Sequence, residues 1–416
     1  MGWIILVSGV ISILALEAAL VLLCFGRRQL AWVPGNGRRR LWTLLAGHVL
    51  LVSLLAFGAY VEMRWNLSGR VLALDTYHIA ELEPDILQGD PGLLEWSHQD
   101  PPLLPRPGFS SSDDFRAWQS ALRTSLLGLF DLPAIAAPVE VRSRILKTDR
   151  VDGNIKRILL AFKAFDETEI PAFLFIPDAA APNPAVLVLH GHVPTWEVGI
   201  AQTAGFFDSY QHSAALELAK AGFVTLTFEF RGFGYLGSRT AAEHRVVAHN
   251  ALLGGSFYKA IVAKDIRYAF DLLRSMPEVN PESIGITGVS YGGEMAATYG
   301  ALDERVKAVV FQGYGGALGP YPAARGTDKD QPHGCHLIPG HNKYLWQEDL
   351  FLLAAPRPLL GVRGDQDFHG DRQAFTEAVG SGYRALDAAD RFQFEMEPGG
   401  HEFFLQPAIE FFRNHL

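Results

Sequence analysis

Cysteine is almost missing from this chain. Its 416 residues hold two, Cys24 and Cys335, in segments expected to lie far apart, and two such residues cannot build a disulfide framework. Basic clusters are missing beyond residue 40, and the formal net charge is −9. That balance excludes a surface built to neutralise phosphates, so no nucleic-acid partner is expected. Internal repeats and low-complexity tracts are absent as well. No Lys or Arg precedes the first apolar run, which is also longer than a usual signal-peptide core, so a cleavable leader is not expected.

Long apolar runs, by contrast, are present. Trp3–Phe25 has Glu17 as its only charged residue, and Leu41–Val61 is broken only by His48. Each is long enough, at about 1.5 Å per helical residue, to cross a hydrocarbon core of about 30 Å. Lipid admits only helices or closed barrels, so residues 1–65 are expected to form a transmembrane helical hairpin, with helices at about 3–25 and 41–61. Arg27, Arg28, Arg38, Arg39 and Arg40 lie between the runs. The positive-inside rule puts that loop in the cytoplasm and everything after about Met63 on the other side of the membrane. Glu17 and His48 fall at similar depth in the two helices, where a hydrogen bond between them would fix the hairpin's packing. Asn66-Leu67-Ser68 is a glycosylation triplet in form only, because it abuts the membrane.

Residues 66–112 are rich in Pro, Gly and acidic residues and read as an irregular linker or wrap. Ser110 to Asp114 is a helix-start signal, followed by Phe115, Trp118, Ala121, Leu122 and Leu126 at helical spacing. Strands are then expected at 139–144, 155–165 and 170–176. Ala185-Val186-Leu187-Val188-Leu189 has the continuous apolar character of a strand buried on both faces. From there strands and helices alternate to the end of the chain. The expected fold over 113–416 is therefore α/β, with a mostly parallel sheet, helices on both faces and right-handed crossovers. Two stretches break the alternation, at about 232–257 and 313–347. Both leave from strand carboxyl ends, where long inserts form caps over a substrate pocket.

The chemistry centres on Gly288-Val289-Ser290-Tyr291-Gly292-Gly293. An apolar strand runs straight into Gly-x-Ser-x-Gly and then into a helix. Such a turn holds its serine in a sparsely populated backbone conformation and pushes the side chain outward. A serine hydroxyl becomes a useful nucleophile when an imidazole removes its proton and a carboxylate fixes that imidazole's tautomer. His401, between Gly400 and a helix start, is the candidate base. The acid is Asp367 or Asp365, both on the loop after the strand ending at Gly364; Asp367 lies further along and has the longer reach, while Asp365 suits a turn-capping role. His369 reads as an exposed loop residue. The oxyanion donors are expected to be the backbone N–H groups of Tyr291 and of His192, with His190 ordering the latter's loop. Arg231-Gly232-Phe233-Gly234 reads as a bend whose arginine pairs with the scaffold, and Asp265 as a buried ion-pair partner. Cys335 stands near His333 and His336, but no further ligand cluster lies nearby in the sequence, so no metal and no cofactor are expected.

Taken together, Phe115-Arg116-Ala117-Trp118, Leu189-His190-Gly191-His192, Phe230-Arg231-Gly232-Phe233-Gly234, the serine turn, Ala355-Pro356-Arg357-Pro358-Leu359-Leu360 and Pro398-Gly399-Gly400-His401-Glu402-Phe403 resemble the α/β-hydrolase superfamily. They are most similar to its acetyl xylan esterase-like branch, near the dienelactone hydrolases. The likeness spans roughly 113–416 and leaves the apolar hairpin outside. It implies an α/β-hydrolase fold, the acid at Asp367 three residues after the strand-end glycine, and a small-molecule ester substrate with a short acyl group. Dienelactone hydrolases proper use cysteine where this chain has Ser290. The resulting expectation is a membrane-anchored serine carboxylesterase whose catalytic domain lies outside the cytoplasm. Two other readings use the same residues: a peptidase of the prolyl-oligopeptidase type, and a catalytically silent scaffold.

Overall fold

The computed structural model describes residues 106, 111–132, 135–193, 198–237, 243–319, 334–367 and 370–416. The two apolar runs, nearly all of the 66–112 linker, His333 and His369 lie outside the described residues. Among the described residues no helix is long and apolar enough to cross a membrane.

The first described element is helix α1 (Ser112–Leu129), started by Ser111, whose side chain accepts the Asp114 N–H. Strands β1 (Ser143–Val151), β2 (Ile155–Lys163) and β3 (Glu169–Pro177) form an antiparallel meander. Strand β4 (Asn183–Leu189), helix α2 (Ala214–Lys220), strand β5 (Val224–Phe228), helix α3 (Glu243–Leu253) and helix α4 (Tyr258–Arg274) follow. Then come β6 (Val279–Val289), α5 (Tyr291–Leu302), β7 (Ala308–Gln312), β8 (Leu359–Gly364), α6 (Arg372–Ala385), β9 (Phe392–Glu397) and α7 (Leu405–His415). Among the described residues nine strands join one sheet in the order β1-β2-β3-β5-β4-β6-β7-β8-β9. It is antiparallel up to the β3–β5 pairing and parallel from β5 onward.

Two cores follow from the pleat. Successive residues of β4 point to opposite faces, so Ala185, Leu187 and Leu189 join one apolar cluster, while Val186 and Val188 join the other. The larger cluster packs α1, α4, α5 and α6 against one face. The smaller packs α2 and α7 against the opposite face. The continuous apolar run expected for β4 is the direct result of this two-sided burial.

Beginning the meander, the structure departs from the sequence reading. The strand expected at 139–144 runs instead over Ser143–Val151. It is an edge strand with a register irregularity between Ile145 and Lys147, and it is exposed along most of its length. With neither face buried there is no alternation to read.

Both inserts leave from the carboxyl edge of the parallel strands. The first, after β5, contains α3; the second, after β7, contains the short turns Gly334–His336 and His341–Tyr344. The two meet where Gly334 approaches Ala248.

Candidate active site

Ser290 occupies the turn between β6 and α5 with φ 60° and ψ −125°. This conformation is strained for a residue with a Cβ, and the neighbouring structure must hold it there. Two backbone contacts do so: the Ser290 N–H donates to Gln312 O at 2.9 Å, and the Glu294 N–H donates to Ser290 O at 2.9 Å. The close packing depends on Gly292, where a Cβ would lie 2.1 Å from Leu189 O. Tyr291 is the first residue of α5, so its N–H is one of those that helix geometry leaves without an intrahelical acceptor.

His401 follows β9 on a glycine-flanked loop, and its Nδ1 lies 2.9 Å from Asp367 Oδ2 on the loop after β8. Asp365 turns elsewhere: its Oδ1 accepts the Gly399 N–H at 3.1 Å and braces the histidine loop. A Cβ added to Gly313 would stand 3.0 Å from His401 Cε1 and 3.2 Å from Ser290 N. Imidazole and serine thus flank the same point at the end of β7. Three loops from three strands bring Ser290, His401 and Asp367 to one edge of the sheet.

His192 lies on the loop after β4. Its own carbonyl accepts the Tyr210 hydroxyl at 2.7 Å. The preceding carbonyl, Gly191 O, lies 2.7 Å from His190 Nδ1. In a trans peptide the N–H opposes the carbonyl, so fixing Gly191 O also fixes the direction of the His192 N–H. Gly191 must be glycine, because a Cβ there would sit 2.1 Å from Tyr210 Oη and 3.1 Å from Ser290 Cβ. The loop that carries the His192 N–H therefore passes directly against the serine.

His190 is fully buried, and the Phe230 N–H donates to its Nε2 at 2.9 Å. Nδ1 must then carry the proton it offers to Gly191 O, which defines a neutral tautomer. Burial lowers its pKa from 6.5 to about 4. Its neighbour Glu229 accepts the Gly199 N–H at 2.8 Å, and burial raises that carboxyl from 4.5 to about 8. Burial thus disfavours charge on both partners of the 3.5 Å approach of His190 to Glu229.

Further residues hold the site without being evident in its sequence motifs. Arg363, near the end of β8, donates Nη2 to Asp367 O at 2.6 Å and to Asp367 Oδ2 at 3.1 Å, and Nη1 to Gly315 O at 2.8 Å. Gln312 clamps the histidine loop: Oε1 accepts the Phe404 N–H at 2.7 Å, and Nε2 donates to Phe404 O at 3.1 Å. Tyr210 also stacks on the His401 ring at 5.8 Å. A tyrosine before a short helix and an arginine inside a strand carry no local signal. Only the closed fold brings them here.

Arg231 grips Asp265 through two bonds of 2.6 and 2.8 Å and Asp166 through two more of 2.6 and 2.8 Å. Burial opposes its charge, but the two carboxylates outweigh burial and hold the guanidinium protonated. Burial raises Asp265 to about 6. Arg231 therefore fastens the bend after β5 to the scaffold. Cys335 and His336 meet a third candidate ligand, His192, 143 residues from Cys335 in sequence. A groove of about 430 Å³ lined by Glu282, Arg305 and Lys307 opens at the opposite end of β6 from Ser290, so it plays no part in this chemistry.

The fold has solved counterparts. A provisionally named acetyl xylan esterase from Bacteroides fragilis NCTC 9343 superposes with a TM-score of 0.60 at 18% identity, over 73% of this chain and 81% of that one. A glucuronoyl esterase from Solibacter usitatus gives a TM-score of 0.52 at 17% identity, over 72% of this chain and 93% of the other. These likenesses show the fold alone: an α/β architecture with a mostly parallel central sheet. In sequence, the chain is 26% identical over 281 residues to a provisionally named hydrolase, YtaP, of Bacillus subtilis (strain 168), covering 66% of this chain and 90% of that protein. Residues 134–314 match the acetyl xylan esterase (AXE1) family, a stretch that holds His192, Ser290 and Tyr291 and ends before Asp367 and His401.

Proposed function

We propose that this protein is a membrane-anchored serine esterase that removes short acyl groups, acetyl foremost, from an alcohol such as a sugar hydroxyl. The observation that carries this reading is the convergence of a strained serine turn with the His401–Asp367 pair at one sheet edge. The AXE1 match over 134–314 supports the ester class.

In this mechanism Ser290 Oγ attacks the ester carbonyl carbon as His401 Nε2 takes its proton. Asp367 holds the Nδ1–H and stabilises the imidazolium. The carbonyl oxygen becomes an oxyanion that accepts from the N–H groups of Tyr291 and His192. Collapse breaks the bond to the alcohol oxygen, which leaves with the proton from His401. Water, deprotonated by His401, then attacks the acyl-enzyme; the carboxylic acid departs and Ser290 regains its proton. The two apolar runs and the five arginines between them support a hairpin anchor with the catalytic domain outside the cytoplasm.

A fluorophosphonate probe tests the nucleophile. Wild-type protein is expected to be labelled covalently and Ser290→Ala to remain unlabelled, with esterase activity reduced by at least about 10⁴-fold. Equal labelling of the two proteins would remove Ser290 from the mechanism. On a panel of nitrophenyl esters, acetate is expected to outpace longer acyl chains, and aminoacyl-proline amides are expected to remain uncut. Turnover of those amides instead would point to a peptidase.

A further inference from the structure

Beside the candidate active site a second group of side chains meets, one of them His192 itself. We propose that His192, Cys335 and His336 form a binding site for a divalent cation of the zinc class, bound through His192 Nε2, Cys335 Sγ and His336 Nε2. This inference does not depend on Ser290 being a nucleophile.

The geometry suits such an ion. His192 Nε2 and Cys335 Sγ are 3.4 Å apart, and one donor atom from each of the three residues lies within 4.8 Å of the other two. A tetrahedral zinc ion, with Zn–S about 2.3 Å and Zn–N about 2.0–2.1 Å, holds neighbouring sulfur and nitrogen ligands about 3.5 Å apart. Mixed imidazole and thiolate donors favour zinc over hard cations such as magnesium or calcium. The thiol gives its proton to solvent on binding, so the site supplies one negative charge to the dication.

The surroundings suit it too. His336 Nδ1 is hydrogen-bonded to a carboxylate oxygen of Glu294, which assigns the ligand role to Nε2. Glu294 is itself paired with the buried Lys259 at 2.5 Å. A carboxylate behind a ligating imidazole fixes its tautomer and raises its basicity. Tyr291 supplies an independent sign. Its ring centroid lies 5.1 Å from that of His192 and 5.4 Å from that of His336. It is only 1% exposed, and its hydroxyl has no hydrogen-bond partner among the described residues. Buried hydroxyls are rarely left so. A water in the fourth coordination position would give this one its partner. His192 comes from the loop after β4, whereas Cys335 and His336 come from the second insert, so the ion would pin that insert onto the loop that carries the His192 N–H.

Cobalt(II) serves as a spectroscopic stand-in for zinc. Full-length protein stripped with a chelator is expected to bind one equivalent, with a near-ultraviolet thiolate-to-cobalt charge-transfer band and the strong visible bands of tetrahedral coordination. Zinc should bleach both. Cys335→Ser should abolish the charge-transfer band, and His336→Gln should weaken cobalt binding by at least about tenfold. Absence of the band at stoichiometric cobalt overturns the proposal. So does an equal band in Cys335→Ser, which would assign the thiolate to Cys24. Should a variant fail to fold, mass mapping of Cys335 alkylation in the wild-type protein reads the same contact. Zinc is expected to slow the modification, and equal rates with and without zinc overturn the site.

Discussion

Two carboxylates on the loop after β8 differ in what they hold. Asp367 faces the His401 imidazole, and Asp365 holds the Gly399 amide. Asp367→Asn presents an amide to Nδ1 and favours the wrong imidazole tautomer, so kcat for a nitrophenyl acetate is expected to fall by about 10⁴-fold. Asp365→Asn keeps an acceptor for the Gly399 N–H and should cost less than about tenfold in the same assay. His190 sets a different prediction at this scale. Its folded pKa is depressed to about 4 from 6.5. In that interval the unfolded chain binds the proton more readily than the folded one, so its contribution to stability is complete above about pH 6.5 and is lost as pH falls through about 4. Urea unfolding at stepped pH should show this slope in the wild-type protein. The slope should flatten in His190→Gln, which can still donate to Gly191 O and accept from Phe230 N–H.

Among the elements, the β6–α5 turn holds Ser290 in a strained conformation, with φ 60° and ψ −125°. Gly292→Ala would drive a methyl group to 2.1 Å from Leu189 O, a backbone atom fixed in the sheet. The expected cost is about 3 kcal/mol of stability, read by denaturant unfolding, with loss of ester turnover. This turn was legible in the sequence because strand, Gly-x-Ser-x-Gly and helix are contiguous, and local pattern alone specifies them. Strand β4 was legible because both of its faces are buried. Asp367 and His401 could be named because each follows an apolar strand at a loop, although only folding selects between Asp365 and Asp367. Strand β1 was misplaced because an exposed edge imposes no alternation. Arg363, Tyr210 and Gln312 were not found, nor was the partner of Cys335. Each acts through a contact made at long range or through a side chain with no motif around it, and pairings of that kind leave no periodic trace.

For the whole molecule, the proposed membrane anchor rests on the two apolar runs that precede residue 65 in the sequence. The full chain is expected to stay with membranes through alkaline carbonate extraction. A cysteine introduced near Asp90 should react with a membrane-impermeant maleimide added outside intact cells; labelling only after lysis would reverse the assigned orientation. The inserts and the loops of Ser290, Asp367 and His401 all leave from the carboxyl ends of strands. Gln312 ties two of those loops together. Its main chain receives the serine's amide, and its side chain grasps the backbone beside the histidine. One residue thus serves as a shared reference for Ser290 and the loop that carries His401, so a displacement of the end of β7 would carry both together and preserve their alignment.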